Sequence, residues 1–246
     1  GLYYTMPENI HLVHLSSGPG GIEVLFPVII KNMPERSFSA FVIRNEHLTN
    51  SVYKNVPVPV KYGSNRNIPA YLKMWLYTMK NRTAIFHVCN IGPVFLLIMK
   101  LGGAKKIIYG IHGTIYWKNK FERWIYRLIW RMALSKRTKL VANSEHSKSE
   151  FLHKIAPLVN IRVLYNPIDL HRFSPGASDT KKSDGILIIY SGRLEKGKSL
   201  EKWIDIASFV HATIPDARFE IYGDGSLKSF LQQQITALQA DHYIKI

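Results

Sequence analysis

The sequence predicts an α/β fold built on parallel β-sheets. Short apolar runs of strand length alternate with segments whose apolar residues recur every three or four positions, as on one face of a helix. Strands that alternate with helices pair in parallel through right-handed crossovers. A length of 246 residues with 46% hydrophobic content allows one large domain or two small ones, each with a packed core.

Residues 1–165 are predicted to form the first domain. Ser144 is expected to cap a helix whose first turn contains Ser147. Residues 56–69, with prolines at positions 57, 59 and 69, are predicted to be a loop. The first three predicted helices end at residues 33, 80 and 101. The predicted strands span residues 10–15, 38–44, 84–89, 106–111, 139–144 and 161–165.

A polar stretch at residues 166–185 is predicted to link this domain to a second one at residues 186–246. Three strands and two helices are too few to cover both faces of a parallel sheet, so we expect the second domain to be incomplete at its C-terminal end. Its predicted strands span residues 186–190, 218–222 and 243–246.

The chain is strongly basic, with 33 Lys and Arg residues against 17 Asp and Glu residues and a formal charge of +16. An anionic partner is therefore expected. A nucleic acid is not favoured, because the sequence shows no RNA-recognition sheet motif, no zinc ligands and no aromatic stacking motif. Cys89, the single cysteine, lies in an apolar run and is predicted to be an inert core residue in a reducing compartment.

Arg193 and Lys198 follow the predicted strand at residues 186–190, at the turn into the next helix. Open α/β sheets bind ligands at the carboxyl ends of their strands, and the first backbone N–H groups of a helix attract anions. The two cations are therefore predicted to bind a phosphate. The alternative is that they are solvated surface charges.

A glycine-rich turn with Gly20 and Gly21 follows the first predicted strand. Such a turn lets backbone approach a phosphate or a sugar closely, although it can also be a simple tight connection. It is not a dinucleotide fingerprint, because Glu23 stands where the third glycine should be.

Two histidines lie in or next to predicted strands. His112 follows the strand at residues 106–111 and precedes a glycine, a position from which imidazole can hydrogen-bond a hydroxyl or a reacting phosphate. The alternative is a structural histidine bonded to a nearby carbonyl. For His87, inside its strand, the structural role is the preferred interpretation.

Residues 117–139 are basic and aromatic, and their pattern predicts an amphipathic helix. Two interpretations stay open: the apolar stripe packs on a sheet, or the helix lies on an anionic membrane surface, and both can hold if the cations face lipid. The candidate lipid-contacting cations are Lys120, Arg123, Arg127 and Arg131. The apolar stripe contains Phe121, Trp124, Ile125, Leu128, Ile129 and Met132.

Six short motifs occur along the chain in one order. They are residues 20–23 (Gly-Gly-Ile-Glu), 112–114 (His-Gly-Thr), 141–144 with Phe151, 166–169 with Phe173 and Pro175, 191–194 with Lys198, and 222–225 (Tyr-Gly-Asp-Gly). In this order and spacing the chain resembles the family 4 retaining glycosyltransferases. The resemblance implies the GT-B fold, which has two Rossmann-like domains with parallel sheets, the second incomplete here.

The resemblance also implies roles for individual residues. Arg193 and Lys198 match the pair that holds the diphosphate of a nucleotide-sugar donor, such as a UDP- or GDP-sugar. His112 matches a histidine near the transferred sugar and, with those two cations, forms the expected catalytic set. Gly20, Gly21, Gly223 and Gly225 match glycines near the donor. The sugar would pass to an acceptor hydroxyl with retention, and neither a metal nor another cofactor is expected.

The chain departs from the family pattern at two places. Ser199 replaces the glycine that normally follows the lysine, and Lys196-Gly197 is a competing alignment that needs a two-residue deletion. The family's Glu-x7-Glu segment would lie beyond Ile246, so we expect the chain as given to be inactive alone. A noncatalytic membrane- or partner-binding module derived from such an enzyme remains the alternative function.

The family resemblance does not identify the acceptor. Family members use lipids, lipopolysaccharide cores, small molecules or other glycans. The basic helix and an aromatic content of 12% favour a lipid-linked or glycan acceptor in the synthesis of a cell-envelope polysaccharide, lipopolysaccharide or glycolipid. The expected location is the cytoplasm, peripheral on the inner face of the plasma membrane.

Overall fold

The computed structural model describes residues 9–18, 20–46, 51–89, 91–113, 117, 119–170, 173–174 and 185–246. It divides the chain into two compact units, residues 1–173 and 174–246. The division falls within the stretch predicted as a linker, most of which lies outside the described residues, as do Thr114 and Pro175 of the six motifs.

The first unit is a seven-stranded parallel sheet in the order β3-β2-β1-β4-β5-β6-β7. β1 lies between β2 and β4, and this reversal of strand order is where open α/β sheets place ligands, outside the carboxyl ends of the strands. The strands are β1 (Ile10–His14), β2 (Phe38–Val42), β3 (Val60–Tyr62), β4 (Ile85–Cys89), β5 (Lys106–Ile111), β6 (Thr138–Ala142) and β7 (Ile161–Val163).

The prediction of a loop throughout residues 56–69 was wrong, because β3 lies within it. β3 is a three-residue edge strand that pairs with β2. Pro59 stands just before it and still contributes its carbonyl, which accepts a hydrogen bond from Ala40 N at 2.8 Å. Proline lacks only the N–H, so a short edge strand tolerates it nearby.

Helices cover the two faces of the first sheet unequally. α2, α3, α4 and α5 bury their inner faces in one cluster that contains Met74, Leu96, Trp130 and Phe151. The described part of the other face is packed by α1, through Phe26. The helices are α1 (Leu25–Lys31), α2 (Asn67–Lys80), α3 (Pro93–Leu101), α4 (Lys120–Ala133) and α5 (Glu145–Lys154).

The N-cap prediction for α5 is confirmed. Ser144 has an extended backbone, and its Oγ accepts a hydrogen bond from Ser147 N at 3.1 Å. This bond satisfies one of the N–H groups that have no partner within the helix.

The second unit is a three-stranded parallel sheet in the order β10-β9-β8. The elements of this unit are β8 (Leu187–Ser191), α6 (Leu200–Thr213), β9 (Arg218–Tyr222), α7 (Lys228–Ala237) and β10 (Ile244–Lys245). Leu200 and Ile204 of α6 pack with Leu231 of α7 and Phe219 of β9 in a separate apolar cluster. In the described part of the chain, no helix is both long and apolar enough to cross a bilayer.

Candidate functional site

The turn after β1 lies beside the reversal of strand order in the first sheet. Glu23 is only 7% exposed, and its carboxyl folds back over Gly20. A Cβ at Gly20 would lie 2.2 Å from Glu23 Oε2, whereas a Cβ at Gly21 would meet nothing within 4 Å. A side chain at Gly20 would therefore force the Glu23 carboxyl to move, whereas Gly21 leaves open space beside the backbone.

The buried His14 side chain holds this turn in place through hydrogen bonds of both ring nitrogens, a role that the sequence analysis did not identify. Its ring stacks on Phe26 with 4.6 Å between centroids. Its Nδ1 donates to Ser16 O at 2.5 Å, and its Nε2 accepts from Tyr53 Oη at 2.7 Å. Burial lowers the pKa of His14 to about 4, so the imidazole is neutral at pH 7.

His112 follows β5 at the same carboxyl edge of the sheet. Its Nδ1 is buried and has no hydrogen-bond partner among the described residues. Burial lowers its pKa, so the neutral ring offers one donor and one acceptor. No described carbonyl therefore accepts a hydrogen bond from His112 Nδ1.

A cavity of about 340 Å³ opens on the sheet face that α1 packs against. It is mainly apolar, with Ile85 of β4 and Ile108 of β5 in its floor, and His87, His112 and Asn143 add polar groups. Burial lowers the pKa of His87 to about 4 and raises that of Cys89 to about 12. Cys89 is buried, as predicted for an inert core thiol.

In the second unit, the turn after β8 pairs with the turn after β9 through backbone hydrogen bonds. Gly192 N donates to Tyr222 O at 3.0 Å, and Leu194 N donates to Asp224 O at 2.9 Å. Leu227 N in turn donates to Leu194 O at 2.9 Å. The backbone around Arg193 is thus held on both sides, while its side chain is exposed.

Gly223 and Gly225 make this pairing possible. A Cβ at Gly223 would lie 1.9 Å from Gly192 O, and a Cβ at Gly225 would lie 2.5 Å from Leu194 O. Gly225 also has a φ of +155°. A larger residue at Gly223 would separate two backbones that cannot move independently.

The Glu195 side chain connects the turn after β8 to the turn after β9, a contact that the sequence analysis did not identify. Its carboxylate accepts from Ser226 N at 2.9 Å and from Ser226 Oγ at 2.6 Å. These hydrogen bonds from Ser226 lower the pKa of Glu195. The partners are 31 residues apart in the chain, so no local pattern could have revealed the link.

The turn into α6 carries both candidate lysines, Lys196 and Lys198, and both are exposed. Gly197 between them has a φ of +92°, which favours glycine, and Ser199 has a φ of +52°. Ser199 makes no side-chain hydrogen bond to the start of α6, so the first N–H groups of this helix have no side-chain cap. Because both side chains are exposed, Lys196 and Lys198 both stay candidates for the phosphate contact.

The structure thus keeps the predicted site residues in two groups. Gly20, Gly21 and His112 lie along the carboxyl edge of the first sheet, and β4 separates the strands that carry them. Arg193, Gly223 and Gly225 come together in the second unit.

The four candidate lipid-contacting cations of α4 differ in exposure. Lys120, Arg123 and Arg131 are exposed on α4. Arg127 is half-buried and donates to Lys154 O at 2.6 Å, at the C-terminal end of α5.

Among the described residues, no group of three or more His, Cys, Asp or Glu side chains is arranged to hold a metal ion.

Comparison with known proteins identifies the family. Glycosyltransferase Family 4 matches residues 19–172. No curated protein sequence matches the chain.

Three solved structures illustrate the shared fold. Alr3699/HepE from Anabaena, solved in complex with UDP-glucose, is 18% identical with a TM-score of 0.73 over 97% of this chain and 68% of that one. A glycosyltransferase from Rickettsia africae is 15% identical with a TM-score of 0.72 over 98% and 68%. The lipopolysaccharide outer core galactosyltransferase WaaB is 16% identical with a TM-score of 0.61 over 96% and 66%. The chain therefore has the α/β architecture of GT-B glycosyltransferases and belongs to Glycosyltransferase Family 4.

Proposed function

We propose that this chain is a retaining glycosyltransferase, or a fragment of one, that moves a sugar, a hexose by family resemblance, from a nucleotide diphosphate to an acceptor hydroxyl. The observation that carries the proposal is the turn after β8, where exposed Arg193 lies in a rigid pair of glycine-containing turns beside an uncapped helix start. Cations and backbone N–H groups in this arrangement suit a diphosphate.

The two cations are proposed to act on the leaving nucleotide. When the bond between the sugar and the diphosphate breaks, negative charge grows on the diphosphate oxygens. Arg193 and either Lys198 or Lys196 would stabilise that charge, and removing such a group typically lowers a rate by roughly 100- to 1,000-fold.

In the first unit, we propose that His112 hydrogen-bonds the transferred sugar. Its neutral ring and buried, unpartnered Nδ1 support this role. The open space beside Gly21 supports a place for donor or sugar at the turn after β1.

The acceptor is proposed to be lipid-linked or a glycan of the cell envelope, and the enzyme to be cytoplasmic and peripheral on the inner membrane face. The formal charge of +16 supports an anionic surface as a partner. WaaB, one of the similar structures, is described as a lipopolysaccharide outer core galactosyltransferase.

The test is transfer of radiolabelled sugar from UDP- and GDP-sugars to envelope lipid and glycan extracts by the complete product of the gene, because the chain as given is expected to be inactive alone. We expect label transfer from one donor, and a loss of roughly 100-fold or more in the Arg193→Ala/Lys198→Ala variant. Arg218→Ala removes another exposed cation of the same unit and serves as the matched control. The anomeric configuration of the product, read by NMR, tests retention.

The rival function is a noncatalytic membrane- or partner-binding module. The observation that favours it is the exposed apolar and basic surface of α4, where Trp124 is 62% exposed. A protein that binds membranes but neither binds nucleotide diphosphates nor transfers label would establish the module and contradict the transferase.

A further inference from the structure

Three helices of the first unit lie side by side over one face of its sheet. α3 packs against both α2 and α4, and all three bury their inner residues in the same apolar cluster. The outer faces of α2 and α4 therefore point away from the sheet on the same side of the unit.

The outer face of α4 is apolar and exposed. α4 packs on the sheet through Trp130 and Ala133, which are 3% and 0% exposed. Four residues of the apolar stripe point outward instead: Phe121, Trp124, Leu128 and Met132, which are 44–70% exposed. Core packing therefore does not account for these four side chains.

α2 carries a second exposed stripe that the sequence analysis did not single out. Ala70, Met74 and Tyr77 are its buried side chains in the core. The exposed ones are Ile68, Leu72, Trp75, Leu76 and Met79, which are 38–80% exposed. Their spacing of three, four and seven residues places them on one helical face. Single exposed apolar residues are common, but two parallel stripes in one helix layer are not.

The same layer is almost free of negative charge. Glu122 is the single acidic residue between Glu46 and Glu145 in the sequence. Exposed cations flank the stripes: Lys73, Lys80, Lys120, Arg123 and Arg131. Apolar and aromatic side chains between cations, without acids, match the headgroup and upper acyl region of an anionic bilayer.

We propose that the outer faces of α2 and α4, defined by Ile68, Leu72, Trp75, Leu76, Met79, Phe121, Trp124, Leu128 and Met132, form a docking surface for an anionic lipid bilayer. The surface rests on the proposed peripheral membrane location and specifies its contact residues, but it does not depend on the transfer reaction. Tryptophan prefers the boundary between headgroups and acyl chains, and long lysine and arginine side chains reach the headgroups from an embedded helix. A protein partner would need to supply both an apolar groove and a surplus of acids.

The test is sedimentation of the protein with vesicles of phosphatidylcholine alone or mixed equally with phosphatidylglycerol. We expect binding to the mixed vesicles, weakened by 0.5 M NaCl because salt screens the headgroup attraction. Leu72→Glu/Trp124→Glu should lower the vesicle partition coefficient roughly tenfold or more. Ile206→Glu/Phe209→Glu on α6 makes two equivalent changes at positions 60% and 75% exposed and should leave partitioning within about twofold.

Tryptophan fluorescence measures how deeply each helix enters the bilayer, and its variants introduce no charge. Brominated acyl chains should quench part of the tryptophan emission, and the quenched part should shrink in both Trp75→Phe and Trp124→Phe. Absence of binding to anionic vesicles, equal binding of the α2/α4 variant, or quenching that neither replacement alters would each overturn the proposal. Self-association that the α2/α4 variant abolishes, without vesicle binding, would assign the surface to a second copy instead.

Discussion

The turns after β1 and β8 occupy equivalent places at the carboxyl ends of parallel strands, but they are held differently. The turn after β1 rests on buried side chains, with His14 joining Ser16 O to the Tyr53 hydroxyl. The turn after β8 is held by backbone hydrogen bonds to the turn after β9, with glycines at the contacts.

This difference determines how each turn responds to protonation and to an added side chain. A side-chain support can shift a few tenths of an ångström but changes when its titratable group takes a proton. A backbone-to-backbone contact is insensitive to pH but has no room for an added methyl group. Acid should therefore destabilise the turn after β1, whereas substitution of a contact glycine should destabilise the turn after β8.

The largest expected effect is at the backbone contact. Gly223→Ala would place a Cβ 1.9 Å from Gly192 O, which rotation of a side chain cannot relieve. We expect the free energy of unfolding to fall by roughly 3 kcal/mol, with loss of nucleotide binding. Urea denaturation measures the free energy of unfolding, and calorimetry measures nucleotide affinity. A variant with unchanged stability and normal UDP binding would contradict the close contact between Gly223 and Gly192 O.

The second effect is a pH dependence that belongs to the turn after β1. His14 has a folded-state pKa of about 4, against 6.5 in the unfolded chain. Below pH 6.5 the unfolded chain therefore binds more protons than the folded protein, and the free energy of unfolding decreases as the pH is lowered. From pH 8 to pH 5 this one group should remove roughly 2 kcal/mol. Urea denaturation across this range should show a shallower slope for His14→Gln; an unchanged slope would contradict the buried neutral imidazole.

The smallest effect distinguishes two adjacent glycines. A Cβ at Gly20 meets the end of a flexible side chain, Glu23, and one at Gly21 meets nothing within 4 Å. We expect Gly20→Ala to lower the free energy of unfolding by roughly 1 kcal/mol and Gly21→Ala by less than about 0.5 kcal/mol. Thermal denaturation of the pair measures the difference, and equal losses would show that Glu23 does not crowd Gly20.

The sequence predicted the alternation of strands and helices because hydrophobic periodicity is a local property. β3 was missed because three residues beside two prolines carry too little pattern. The Ser144 cap could be read because donor and acceptor are three residues apart. The supports at His14 and Glu195 could not, because Tyr53 and Ser226 lie 39 and 31 residues away.

α4 shows a different limit of sequence reasoning. Its periodicity correctly indicated an amphipathic helix, but a helical wheel does not reveal which apolar side chains meet the sheet. Trp130 packs against Tyr109 and Phe151, with ring centroids 5.1 and 5.0 Å apart, and this contact sets the buried face. Trp124, six residues earlier in the helix, is consequently exposed.

The most direct test of the proposed donor site is calorimetric titration of the protein with UDP, GDP and UMP. The account predicts that a nucleoside diphosphate binds more tightly than the monophosphate, and that Arg193→Ala/Lys198→Ala removes this advantage while Arg218→Ala keeps it. Single Lys196→Ala and Lys198→Ala variants then show which lysine contributes. Unchanged diphosphate affinity in the double variant, and in Lys196→Ala, would contradict the assignment of the donor diphosphate to the turn after β8.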